Sequence, residues 1–437
     1  MGRPLEEFFL GAHPRQPSLP GHMKAGSTPA RTHLCALILA AVLVALGLGL
    51  GGIWSESQQD RFLKYAAPEF CDAKLHGVAL IREAFSRPDT LVLFGSSELI
   101  PDVPMKGVDF FSDLPTGFSV FPVGKAGTTA LSVLQKLGGA GETLTGKQVV
   151  LSLSPSFFQY EKVEPKYFEG NSSKLQTKEL MWSSRYSEAL KREAAAQILN
   201  YPKAYEGDWF LEVVLRRMAS GGWVDRVVLA LFEPLAQVDR WVGKMQDHLE
   251  ATVALLEAKE AETVKPRKRE VLGSIRRASW DQLFLSAEQS SRAFAKRSKK
   301  RPLKVQRRVG EGDAQFTQVL RKSQEWKDFE LVLRLLKEAG AKPLILSMPV
   351  HADVLEAQGV SRKAWQEYGM RLRQMTGKYG TPLVYLEEYE RDETFFVDHA
   401  DHIGSKGWWF YNKAMDDFYH GRPLQSIPVA SQKAPSF

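Results

Sequence analysis

The chain has 437 residues, of which 44% are hydrophobic and 25% are charged, and its formal net charge is +7. This composition is normal for a globular protein and indicates that most of the chain buries a real core. The modest positive charge comes from clusters of basic residues and is not an argument for nucleic-acid binding. The two cysteines, Cys35 and Cys71, exclude an internal disulfide in the soluble part, because Cys35 lies in the apolar segment near the N-terminus.

That apolar segment runs over residues 34–54 and contains no charged residue. Its 21 residues, at 1.5 Å per residue, are long enough to cross the roughly 30 Å hydrocarbon core of a bilayer. The segment is apolar on every face, which favours a transmembrane helix over a buried helix of a soluble protein. A cleaved signal peptide is less consistent with its length, its distance from the start of the chain and the lack of a clear small-x-small cleavage site.

The basic residues around this segment indicate its orientation. Four of them precede the segment, namely Arg3, Arg15, Lys24 and Arg31, whereas charges of both signs follow it directly. The positive-inside rule therefore predicts a cytoplasmic N-terminus and an extracytoplasmic domain over residues 55–437. Residues 1–33 are predicted to form a disordered cytoplasmic tail, because the first thirty are rich in Pro, Gly and Ser.

The first part of the soluble domain, residues 55–159, has the pattern of an α/β sheet. It contains helical spacing over residues 60–85, a helix opened by Gly124 and Gly127, and strands predicted at 90–94, 118–122 and 148–154. Strands that alternate with helices favour a parallel sheet covered by helices.

Residues 160–325 differ from the segments on either side of them. They are mostly helical in pattern, are rich in Lys, Arg, Glu and Ala, and are predicted to form a helical insertion. Two basic clusters, at 265–269 and 296–301, are typical either of a solvated surface or of a site for anionic lipid headgroups or a phosphate-bearing polymer.

The α/β pattern resumes over residues 326–420, and residues 421–437 are predicted to be a C-terminal tail. The predicted elements of this second part are a helix from 326, a strand at 343–348, a helix at 362–378, a strand at 382–386 and a final helix at 405–419.

Ser97 and His402 are the residues that most suggest chemistry. Ser97 follows a strand directly, in a turn whose hydroxyl would lie at the carboxyl edge of the sheet, although such a serine is often only a turn or cap residue. A serine needs a base to become a nucleophile, and a histidine base needs an orienting carboxylate. His402 offers the base, and Asp398 and Asp401 both lie close enough to orient it. A metal site is the competing interpretation of this His- and Asp-rich stretch.

The segments around these residues resemble a known family. The block from Gly95 to Leu99 is similar to the first block of SGNH-type hydrolases, and more closely to the D-alanyl-lipoteichoic acid biosynthesis (DltD) family. The segment Ser152–Pro155 with its following phenylalanines, and the block His402–Trp408 with its closing helix, resemble later parts of that family. The resemblance implies a three-layer, SGNH- or flavodoxin-like parallel α/β domain.

The resemblance also implies roles for individual residues. Ser97 would be the nucleophile and His402 the general base, with oxyanion donors among the backbone N–H groups of Ser97 and Gly127. Gly95 and Ser96 belong to the same turn, and Ser154 lies where SGNH proteins carry a third-block asparagine. The family usually places an aspartate three residues before the histidine, a position that His399 occupies here. The carboxylate is therefore expected to be Asp398, through a one-residue shift, or else Asp401.

The function that the resemblance implies is D-alanylation of a cell-envelope polymer through serine-dependent D-alanyl ester transfer or hydrolysis. Implied partners are a membrane acyltransferase of the MBOAT type, a D-alanyl carrier protein or anionic envelope polymer, and the lipid bilayer; no nucleic acid, metal or cofactor is expected. Two alternatives stay open: an SGNH-type O-acetyltransferase or esterase on an exported polysaccharide, and a non-catalytic assembly factor that binds the carrier.

Overall fold

The structure, a computed structural model, describes residues 30–66, 77–114, 116–264, 279–297, 304, 307–398 and 402–424. Its centre is one five-stranded sheet in which every pairing is parallel and the strand order is β2-β1-β3-β4-β5. The strands are β1 (Thr90–Phe94), β2 (Ser119–Val123), β3 (Gln148–Leu153), β4 (Lys342–Ser347) and β5 (Leu383–Tyr385).

The strand order gives the sheet a topological switch point. The chain passes from β1 outward to β2 and then returns to place β3 on the other side of β1. In open α/β sheets, sites form at the carboxyl ends of the strands beside such a reversal. The segment after β1, which carries Ser97, lies at this position.

Helices account for most of the remaining described chain. They are α1 (Ala30–Ala66), α2 (Val78–Ser86), α3 (Gly107–Asp113), α4 (Ala130–Ala140), α5 (Pro165–Glu169), α6 (Lys174–Met181), α7 (Glu188–Ile198), α8 (Trp209–Ser220), α9 (Trp223–Val264), α10 (Trp280–Arg297), α11 (Asp313–Lys322), α12 (Glu325–Ala339), α13 (Ala352–Ala357), α14 (Arg362–Lys378) and α15 (Ser405–Tyr419).

The two faces of the sheet are covered by separate apolar cores, so the domain has three layers. Strand side chains alternate between the faces: Val92 and Phe94 contribute to the core formed with α2, α4, α12 and α14, whereas Leu91 and Leu93 contribute to the core formed with α3, α10 and α15. The strands read as continuous apolar runs because both faces are buried. The predicted α/β class with a parallel sheet is confirmed.

The predicted strands match the observed ones to within one or two residues, and the final helix matches at both ends. The helix after β2 is the exception: it was expected to open at Gly124 and Gly127 but begins at Ala130. The Thr129 side chain caps it by accepting a hydrogen bond from the Ser132 N–H, and both glycines have positive φ in the preceding loop.

The described residues between β3 and β4 form helices and no strand. The helices do not form one separate layer: α6–α8 pack in the core with α4 and α12, whereas Leu283 and Ala287 of α10 lie in the core on the opposite face. The basic cluster at 265–269 lies outside the described residues, as does most of the cluster at 296–301.

The N-terminal helix α1 contains one stretch that is long and apolar enough to cross a membrane, Thr32–Leu63, and none of its most apolar window is buried. The described helix includes residues 30–33, which were assigned to the predicted tail, and residues 1–29 lie outside the described residues. It also continues beyond Trp54 to Ala66, because the polar residues that follow the apolar run are compatible with a helix.

Candidate active site

The turn that carries Ser97 is fixed by two backbone contacts with neighbouring segments. The Gly95 N–H donates to the Val123 carbonyl at 3.0 Å, which extends the pairing of β1 with β2 by one residue. Gly124 then passes so close that a Cβ built on it would lie 1.9 Å from the Gly95 carbonyl oxygen, so this position requires glycine. The chain turns into a short 3₁₀-helix, Ser97–Leu99, and the half-buried Ser97 is its first residue.

Glu98 supports the turn from below. Its side chain is buried, and its Oε1 atom accepts a hydrogen bond of 3.0 Å from the Ser96 N–H. The N–H groups of Gly95 and Ser96 therefore both hold the turn itself. The substrate-binding role predicted for these two residues stays a prediction, as does oxyanion donation by the Ser97 and Gly127 N–H groups.

His402 lies in a small antiparallel loop just before α15. Phe396 and Ile403 form a β-bridge, the Val397 N–H donates to the His402 carbonyl at 3.0 Å, and the Gly404 N–H donates to the Phe395 carbonyl at 2.7 Å. These pairings bring Asp398 and His402 together on the same tip. The predicted alternative carboxylate, Asp401, lies outside the described residues, as does His399.

The structure brings Ser97, His402 and Asp398 into direct contact. The Ser97 Oγ lies 2.8 Å from His402 Nε2, and His402 Nδ1 is hydrogen-bonded to Asp398 Oδ2. An ionised carboxylate can only accept, so Nδ1 carries the proton and Nε2 of a neutral ring accepts from the serine hydroxyl. This arrangement can take a proton from Ser97 and hold the resulting imidazolium against Asp398.

Gly127 lies in the loop between β2 and α4, and two residues of the inserted segment hold that loop. The Asn171 amide donates to the carbonyl oxygens of Ala126 at 3.3 Å and of Tyr167 at 2.8 Å. Asn171 Oδ1 accepts from the Thr128 hydroxyl at 3.3 Å. A Cβ at Gly127, whose φ is +83°, would lie 2.5 Å from the Tyr167 ring, so the ring packs directly against the glycine backbone.

A small cavity of about 20 Å³ lies beneath these loops and is lined by Gly95, Thr128, Ser154 and Glu325 among others. Ser154 follows β3 directly, which places this predicted site residue at the same edge of the sheet. Glu325 Oε1 accepts from the Ala130 N–H at 2.7 Å, at the start of α4. Burial of the Glu325 carboxyl raises its pKa to about 7.

The sequence pattern does not single out Glu98, Tyr167, Asn171 or Glu325. Three of them lie within the inserted segment, where helical periodicity shows only which residues are apolar and not which loop they contact. Within the described ranges, no three His, Cys, Asp or Glu side chains converge as possible metal ligands.

The fold and the site define a class: a doubly wound α/β protein with a serine, a histidine and an aspartate in hydrogen-bond contact at the carboxyl edge of its sheet. The DltD protein family matches residues 67–420, and the chain belongs to that family. The family resemblance of the terminal blocks is thereby confirmed.

Two relatives are similar over most of their length. The protein DltD of Bacillus subtilis (strain 168) is 27% identical over 394 residues, which cover 88% of this chain and 96% of the relative. The protein DltD of Staphylococcus aureus (strain NCTC 8325 / PS 47) is 21% identical over 369 residues, covering 82% and 88%. The family name associates the chain with D-alanylation of teichoic acids, and the single apolar helix is consistent with a membrane anchor.

Proposed function

We propose that this protein is a membrane-anchored, serine-dependent acyl enzyme that transfers or hydrolyses D-alanyl esters during modification of a cell-envelope polymer. The observation that carries the proposal is the continuous hydrogen-bonded chain from Ser97 Oγ through the His402 ring to Asp398. The three residues come from segments about three hundred positions apart, so their contact is a product of the fold and not of local sequence. Membership of the DltD family supports D-alanine as the acyl group.

In the proposed first step, Ser97 Oγ attacks the carbonyl carbon of a D-alanyl ester or thioester, and His402 Nε2 takes the hydroxyl proton. The tetrahedral intermediate collapses, the bond to the leaving oxygen or sulfur breaks, and the leaving group takes the proton from His402. In the second step, His402 Nε2 removes a proton from a polymer hydroxyl or from water, whose oxygen attacks the D-alanyl carbonyl carbon. The bond from that carbon to Ser97 Oγ then breaks, and Ser97 Oγ takes the proton from His402. Asp398 accepts from Nδ1–H throughout and stabilises the imidazolium.

The backbone N–H groups of Ser97 and Gly127 are the proposed oxyanion donors. In the part of the chain that the structure describes, neither group donates to a backbone carbonyl through a contact outside the helices and strands. Fixed donors aimed at developing negative charge contribute more than flexible ones, because they need no reorganisation during the reaction. The contacts of Asn171 and Tyr167 with the Gly127 loop would supply that rigidity.

The proposed function also includes a location and partners for the protein. The charge bias around the apolar segment supports an extracytoplasmic position for residues 55–437, where an envelope polymer would be accessible. A membrane acyltransferase of the MBOAT type or a D-alanyl carrier protein would supply the activated acyl group, and the anionic polymer would receive it.

The test is to trap the acyl-enzyme. Purified full-length protein in detergent is incubated with a D-alanyl thioester or ester, quenched in acid, digested and analysed by mass spectrometry. We expect a D-alanyl group on the peptide that contains Ser97, and none in Ser97→Ala. Acetyl esters in a parallel reaction test the alternative O-acetyl chemistry, since a preference for acetyl would replace D-alanine as the acyl group.

A non-catalytic assembly role predicts a different result. In that case wild type and Ser97→Ala would cleave the donor at equal rates, both close to the uncatalysed rate. Matched Ser96→Ala protein is the control, because Ser96 neighbours the proposed nucleophile without contacting His402 in the structure. Loss of the adduct in Ser97→Ala but not in Ser96→Ala would assign the D-alanyl group to the Ser97 hydroxyl.

A further inference from the structure

Helix α9 carries an apolar stripe on the face that points away from the domain. The stripe positions recur every three, four or seven residues, none carries a charge, and all are exposed: Val224, Val227, Leu231, Leu235, Val238, Val242, Leu249, Val253 and Leu256. The exposed fraction of Leu231 reaches 74%. We call this set the outer stripe. An exposed apolar surface formed by nine aliphatic side chains on one helix face marks an interaction site more often than a solvated face.

The opposite face of α9 is already satisfied. Leu229, Ala236, Ala251 and Leu255 are buried in the core that includes helices α2, α6 and α8. The helix is therefore apolar on two sides, and packing in the domain core covers only one of them. The outer stripe needs a second apolar environment.

The C-terminal half of α9 is joined to the segment that leaves the predicted membrane span. Ser55, the residue after the apolar run, donates to the His248 carbonyl at 3.0 Å and contacts the Thr252 hydroxyl. Gln59 donates to the same carbonyl at 3.0 Å, and Lys259 lies 4.4 Å from the centre of the Phe62 ring. The C-terminal half of α9 is thus attached to residues that begin one position beyond the apolar run.

The stripe has the properties of a helix that lies in a membrane interface. From Val224 to Leu256 it extends about 48 Å at the ordinary rise per residue, longer than the roughly 30 Å that a spanning helix needs. Trp223 and Trp241 flank it and are 74% and 46% exposed, and tryptophan is the side chain most favoured at the level of lipid headgroups. Aliphatic residues on one face with tryptophans at its border are typical of interfacial helices.

We propose that the outer stripe of α9 lies on the outer leaflet of the same bilayer that holds α1, with its aliphatic side chains between the lipid headgroups and acyl chains. This contact would fix the height and orientation of the Ser97 site above the membrane. The inference rests on the assignment of α1 as the anchor, and its test therefore includes a separate readout of the anchor.

The test uses full-length protein in vesicles of phosphatidylcholine and phosphatidylglycerol. Single cysteines are introduced by Leu231→Cys, Val242→Cys or Val253→Cys in a Cys35→Ala, Cys71→Ser background and labelled with an environment-sensitive fluorophore. Lipids with a nitroxide near the headgroup should quench the stripe labels roughly threefold more than a label at Gln237→Cys, an exposed position of α9 outside the stripe. Leu43 lies near the middle of the apolar run, so a label at Leu43→Cys, with lipids that carry the nitroxide deep in the acyl chain, reports the anchor independently.

Each outcome has a defined meaning. Equal quenching at the stripe positions and Gln237, with Leu43 quenched, would overturn the stripe proposal and leave the anchor intact. An unquenched label at Leu43 would remove the anchor and the proposal with it. Self-quenching that grows with protein density, without lipid quenching, would assign the stripe to a second copy of the chain instead. The variant Leu231→Asp should roughly halve lipid quenching at Val253.

Discussion

Two regions of the molecule contribute to the candidate site in different ways. The carboxyl edge of the sheet supplies the groups that would react: Ser97 after β1, and His402 with Asp398 before α15. The inserted helices supply no reacting group but hold the surrounding backbone, through Asn171 at the Gly127 loop and Ser291 of α10, whose hydroxyl accepts from the Lys406 N–H at 3.0 Å. Chemistry and positioning therefore come from separate stretches of sequence.

Substitutions in the two regions should therefore impair the protein in different ways. A change at the sheet edge should abolish turnover while the fold persists, because each reacting side chain is at least partly exposed and is not a core residue. A change in the supporting region should weaken the fold and activity together, because its polar groups are buried and hydrogen-bonded.

The largest effect is expected at the sheet edge itself. Ser97→Ala and His402→Ala should each lower kcat on the order of 10⁴-fold, and the double variant should lose little more, because nucleophile and base act as one unit. Single-turnover kinetics with a D-alanyl thioester measures this loss. Additive losses in the double variant would mean that the two side chains act independently, which contradicts their proposed partnership.

The next effect distinguishes the two predicted carboxylates. Asp398→Asn should lower kcat on the order of 10³-fold, because an amide cannot stabilise the imidazolium and permits the wrong His402 tautomer. Asp401→Asn is the matched control, with the same chemical change three residues away, and should retain activity within a few-fold. The reverse ranking, measured under identical substrate conditions, would transfer the orienting role to Asp401.

The sheet edge could be predicted from sequence because its signals are local. A buried β-rich run such as Thr90–Phe94, followed at once by a Gly-Ser-Ser turn, indicates both the strand and its exposed end. Periodicity alone could not predict the contact between Ser97 and His402, which was inferred from the resemblance of both terminal blocks to one family. The choice of Asp398 depended on moving the family's aspartate position by one residue.

The supporting contacts could not be predicted for a physical reason. Asn171 and Glu325 are polar residues at a helix boundary and a helix start, positions where polar side chains usually face water. Their burial depends on which loop packs over them, and that is decided by tertiary contacts across more than forty residues for Asn171 and nearly two hundred for Glu325. Hydrophobic periodicity carries no information about such pairings.

Glu325→Gln tests the supporting region through its dependence on pH. Burial raises the Glu325 pKa from 4.5 to about 7, so the folded state holds the proton more tightly than the unfolded state. Wild type should therefore lose about 3 kcal/mol of stability relative to Glu325→Gln as the pH rises from about 4.5 to about 7, and little above that. The amide oxygen of glutamine can still accept from the Ala130 N–H.

Denaturant unfolding in detergent at pH 5 and pH 8 measures this difference. Glu206→Gln, at an exposed position, is the control and should shift stability by no more than about 0.5 kcal/mol at either pH. If the stability gap between wild type and Glu325→Gln is the same at both pH values, Glu325 does not titrate as its burial requires.

The smallest effect is expected at Asn171, where it decides whether the inserted helices contribute to turnover at all. Asn171→Ala removes the hydrogen bonds from the side-chain amide to the Ala126 and Tyr167 carbonyl oxygens. This loss should lower the free energy of unfolding by about 2 kcal/mol. Because the freed loop carries Gly127, kcat should also fall about tenfold while KM changes little.

Asn200→Ala is the matched control, since Asn200 is exposed and its side-chain amide donates to the Ala196 carbonyl one helical turn away. If Asn171→Ala loses stability but keeps full kcat at a temperature where it stays folded, the inserted helices stabilise the fold without positioning the Gly127 loop for turnover. That result would contradict the proposed positioning role of Asn171.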